Sequence, residues 1–74
     1  MPLTSNPYRV AQARRYAWRV ADPAARRFAM AFFRWLNDAP GDAVEPARPA
    51  DVPPAVAIRI RGTLWRKLQF KRPR

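Results

Sequence analysis

The sequence predicts a small α+β domain built from an N-terminal helical hairpin, an acidic proline-rich connection and a short basic C-terminal β-hairpin. Three observations carry this. Two proline-initiated segments, about 7–21 and 23–37, place apolar residues at helical spacing. The stretch 38–54 holds four of the five acids and five of the nine prolines. Beyond it, Val56, Ile58 and Ile60 alternate with Ala57, Arg59 and Arg61, the period of a strand with one buried face. At 74 residues the chain forms a single small domain, 1–74, with a marginal core, and no cysteine is present to staple it.

The first helix is expected to start at "SNPYR", with Asn6 as N-cap and Pro7 at the first helical position, where a missing N–H costs nothing. Val10, Ala13, Ala17, Val20 and Ala21 share one face of it, a narrow stripe of small side chains. The second helix starts at "ADPAA". Asp22 can accept from the free N–H groups of the first turn, and Pro23 both opens this helix and disfavours helical backbone at residue 22. Phe28, Phe32, Trp35 and Leu36, with Ala24, Ala25 and Ala29, fall within one arc, so large side chains would pack on the small ones of the first helix. Met30 projects into the opposite, arginine-bearing arc and Phe33 lies at its edge, so packing on the first helix explains neither, and the two are left to be covered by the C-terminal segment or to dock on another protein.

The stretch 38–54 reads as an extended linker, because proline fixes φ and its few apolar residues are small. An alternative is that its acids fold back onto the arginines. For 55–74 the preferred arrangement is a hairpin with a loop at Arg61–Thr63, setting Ile60 against Leu64 and Val56 against Leu68. The alternatives are a strand followed by a helix capped by Thr63, or a mostly helical chain.

Function is narrowed by charge and by what chemistry the residues can do. The chain carries 15 basic and 5 acidic residues, a net charge of +10. Residues 1–37 carry a net charge of +6, 38–54 carry −3 and 55–74 carry +7. Thirteen of the basic residues are arginine, whose planar fork reads phosphate or carboxylate and stacks on rings. A chain rich in Ala, Arg and Pro is also what a GC-rich genome writes, but the charge favours an acidic partner either way. With no His, no Cys, one Ser, no glycine-rich phosphate loop and acids confined mainly to a linker, no catalytic residue, metal site or cofactor is expected.

The leading expectation is therefore a non-enzymatic protein that binds nucleic acid or a nucleoprotein assembly. The residues expected to do so are Arg14, Arg15, Trp18, Arg19, Arg26 and Arg27 on the helices, with Arg66, Lys67, Lys71 and Arg72 near the C-terminus. The runner-up is a regulator, inhibitor or accessory subunit docking on a larger protein through Met30, Phe33 and Arg34. Self-association is a further expectation for so small a core. The longest apolar run, Phe28 to Phe33, is too short to span a bilayer, and no apolar stretch of the signal-peptide kind opens the chain, so a cytoplasmic location is expected.

Overall fold

The computed structural model describes residues 7–38 and 41–68, and these form three helices: α1 (Pro7–Trp18), α2 (Pro23–Asp38) and α3 (Pro54–Lys67). Every helix opens on a proline. At the start of α2, Ala25 N–H donates to Asp22 Oδ2 at 2.9 Å and Arg26 N–H to Asp22 O at 2.8 Å, the cap read from "ADPAA". The first helix is shorter than expected, ending at Trp18. Its last turn tightens as Arg19 N–H reaches both Arg15 O and Tyr16 O at 3.1 Å, and the carbonyls of Val20 and Ala21 turn to accept from Arg26 Nη1 at 3.0 and 3.5 Å. Arg26 thereby fastens the interhelical turn to α2.

The expected α+β class is not what the chain adopts. Among the described residues there is no strand, and the segment read as a β-hairpin is α3, so the mostly helical alternative is the correct one. The alternation that suggested a strand breaks in the structure at 57 and 58: Ala57 is 1% exposed and Ile58 is 63% exposed. Burial instead follows Ala57, Ile60, Leu64 and Leu68, a spacing of three, four and four that marks one face of a helix. Pro54 at the first helical position, preceded by Pro53, starts it as Pro7 and Pro23 start the others. Thr63, proposed as a cap in the strand-then-helix alternative, lies in the interior of α3.

The core is one cluster. Phe28, Phe32, Phe33 and Leu36 of α2 are at most 4% exposed and meet Ala13 and Ala17 of α1 and Ala57, Ile60 and Leu64 of α3, with Leu68 closing one end. Phe32 packs tilted between Phe28 and Trp35, with ring centroids 6.1 and 5.5 Å away. Large side chains on α2 do fill the space left by small ones on α1. Because α2 packs against both other helices, its buried arc is wider than a two-helix hairpin requires.

The connection from α2 to α3 is more than a solvated spacer. Val52 is fully buried, its carbonyl accepts from Arg48 Nη1 at 2.7 Å, and Trp35 Nε1 donates to Ala43 O at 3.0 Å. Its length has a topological reason. Trp35, near the end of α2, shares a cleft with Trp65, near the end of α3, so the two helices bring their C-terminal ends together and a tight turn cannot join them. One of its acids reaches an arginine: Glu45 Oε2 lies 3.9 Å from Arg61 Nε.

Gly62 sits inside α3 without a local reason. No described residue has positive φ, and a Cβ placed there would meet only Arg66 Nη1, at an ordinary 3.7 Å. Gly62→Ala should therefore stabilise the domain by about 0.5–1 kcal/mol, since alanine restricts the unfolded chain and suits a helix better. Thermal melting should show this as a rise of several degrees; a fall would mean that the helix backbone at 62 is more crowded than its neighbours indicate.

Candidate nucleic-acid interface

Two clefts flank α1, and both are basic. The first lies between the end of α1 and the outer side of α2, encloses about 400 Å³, and is lined by Trp18, Arg26, Arg27, Met30 and Arg34. Its construction follows from helical spacing: Arg27, Met30 and Arg34 form one stripe along α2, and the short interhelical turn brings Trp18 beside it. Trp18 is 60% exposed, whereas Met30 is half-buried against the core. Residues expected to serve two different partners are thus brought into a single site. Every charged side chain lining it is an arginine.

On the other flank of α1, Gln12, Arg15, Tyr16 and Arg19 line a shallower cleft of about 290 Å³ together with Lys67 from the last turn of α3. Arg9 Nη1 donates to Arg66 O at 3.4 Å and joins the two helices there. Arg15 and Arg19 are one helical turn apart and exposed, so they repel one another across α1 and present a dense positive charge to solvent.

The remaining expected residues separate. Arg14 lies with its guanidinium carbon 5.9 Å from the centre of the Phe33 ring, a contact that covers an aromatic side chain and leaves the arginine exposed. The Arg66 side chain points into a third cleft, between α2 and α3. Lys71 and Arg72 lie outside the described residues. Phe33 is 4% exposed and belongs to the core, on the flank of α2 that faces α1, so the expected pairing of Met30 with Phe33 as a docking patch keeps only its methionine. The projection missed this because it assigned α2 a single neighbour. Sequence reasoning also passed over Trp35, Trp65 and Arg61, which line the third cleft; no signal places them together until 55–67 is read as a helix.

Among the described residues no helix is long and apolar enough to cross a membrane. Comparison with protein-family models, with curated proteins and with solved structures returned no match.

Proposed function

We propose that this is a small non-enzymatic protein of the cytoplasm that binds nucleic acid through the arginine-rich surface spanning α1, with a preference for single strands. The observation that carries the reading is Trp18, an exposed indole set among Arg26, Arg27 and Arg34. A flat apolar ring surrounded by fixed cations is the combination that holds an unpaired base and its phosphates, and it needs no particular base. Arg15, Arg19 and Lys67 extend the positive surface past α1, where they add attraction without sequence reading. Docking on a larger protein is a weaker reading, since the patch expected for it keeps Met30 but loses Phe33 to the core.

The test is titration of a labelled single strand, followed by anisotropy, over a range of salt. Affinity should fall linearly on log–log axes, and Arg27→Gln with Arg34→Gln should flatten the slope by roughly 1.4, about 0.7 for each lost phosphate contact. Trp18→Ala should weaken single-strand binding by about 1–3 kcal/mol while leaving the melting temperature near that of the parent. Absence of binding to single or double strands at low salt, or binding that ignores salt, would defeat the proposal.

A further inference from the structure

The third cleft encloses about 680 Å³, a size that accommodates a small planar ligand. Phe32 forms its floor, and the Trp35 and Trp65 indoles line it, both half-buried against the core. Trp35 is held in place by its hydrogen bond to Ala43 O. Arg61 and Arg66, five positions apart on α3 with Gly62 one turn before Arg66, bring two guanidinium groups to the same cleft. Among the described residues lining it the one acid is Glu45, whose 3.9 Å contact with Arg61 is long and made between partly exposed side chains. Gly62, for which packing and backbone conformation give no reason, leaves the helix bare where the cleft opens between these arginines.

We infer that the α2–α3 cleft is a pocket for one unpaired nucleotide of a bound single strand, its base against the Trp35 and Trp65 indoles and its phosphate on Arg61 and Arg66. This rests on the nucleic-acid reading and adds to it a second base site, separate from Trp18. Two indoles favour a planar group, and two arginines favour a phosphate beside it. Glu45 acts as an internal stand-in for that phosphate: the incoming anion takes over Arg61 and releases the glutamate. Gly62 allows the nucleotide to approach the helix backbone, a use of glycine that no intramolecular contact requires.

The experiment uses the full chain carrying Trp18→Ala, so that the remaining indoles are Trp35 and Trp65. Two probes are compared, an oligodeoxythymidine of about eight nucleotides, within the range that single-strand modules occupy, and an abasic strand of the same length and charge. The thymidine strand should quench indole emission and bind roughly 5- to 150-fold tighter than the abasic strand, the span expected for stacking of one base. Gly62→Leu should remove this base-dependent increment while helix content and melting temperature stay at or above the parent's, which separates a filled pocket from a lost fold. Glu45→Gln should strengthen thymidine binding by up to about fivefold, the range of a partly exposed ion pair. Equal binding of both strands without quenching overturns the pocket and leaves the nucleic-acid reading standing; failure of both strands to bind overturns both. Quenching by an acidic peptide at the concentrations where the thymidine strand acts would assign the cleft to a protein partner and overturn the nucleotide.

Discussion

Phe32→Ala is expected to cost about 3–5 kcal/mol and leave the chain largely unfolded at room temperature. Phe32 is 2% exposed, packs against both Phe28 and Trp35, and stands where α2 meets α3. The packed residues around it relax only in part, so much of the volume of the removed ring would remain as a cavity. Circular dichroism and thermal melting check this directly. A variant that melts like the parent would show that the aromatic face of α2 is not the centre of the core.

The second large effect separates the helical C-terminus from the expected hairpin. Ile58 and Ile60 would lie on the same face of a strand and respond alike to a charge. In α3 they do not, for Ile60 is 2% exposed and Ile58 is 63% exposed. Ile60→Asp should therefore unfold the domain, since a carboxylate without a partner would have to leave water and the apolar contacts of the isoleucine would be lost with it. Ile58→Asp should change stability by less than about 0.5 kcal/mol. Equal losses at both positions would return the segment to a strand.

The first two helices were legible because each has a local start. Asp22 and Pro23 cap and open α2, and the cap is present as a 2.9 Å hydrogen bond, whereas α1 stops at Trp18, four residues before Asp22. The large-on-small packing of α2 on α1 was also legible, in Phe28, Phe32 and Leu36 against Ala13 and Ala17. The third helix was hidden by its own composition. Val56, Ile58 and Ile60 are β-branched and alternate with arginines, a local preference for a strand that burial of Ala57, Ile60, Leu64 and Leu68 overrides. The recurring proline at each helix start, at 7, 23 and 54, was the available counter-signal.

At the candidate interface, spacing along α2 was enough to put Arg27, Met30 and Arg34 on one stripe. What it could not supply was the wider buried arc that a third helix imposes, and so Phe33 was read as surface. The same omission hid the α2–α3 cleft. Its side chains come from α2, α3 and the connection between them, and a register for that meeting exists only once α3 is in place.

Among the described residues five of the buried positions are alanines, Ala13, Ala17, Ala25, Ala29 and Ala57, each at most 2% exposed. They contribute little apolar area, yet they set how closely the helix axes approach. Exchanging one large core side chain for another of similar volume usually costs under about 1.5 kcal/mol, whereas an added methylene in a tight site costs about 1–3 kcal/mol. Over evolutionary drift the phenylalanines and leucines should thus trade places with one another, and the alanines should hold still. The ancestry of this domain would then be recorded less in its conspicuous aromatic residues than in the spacing of its smallest ones.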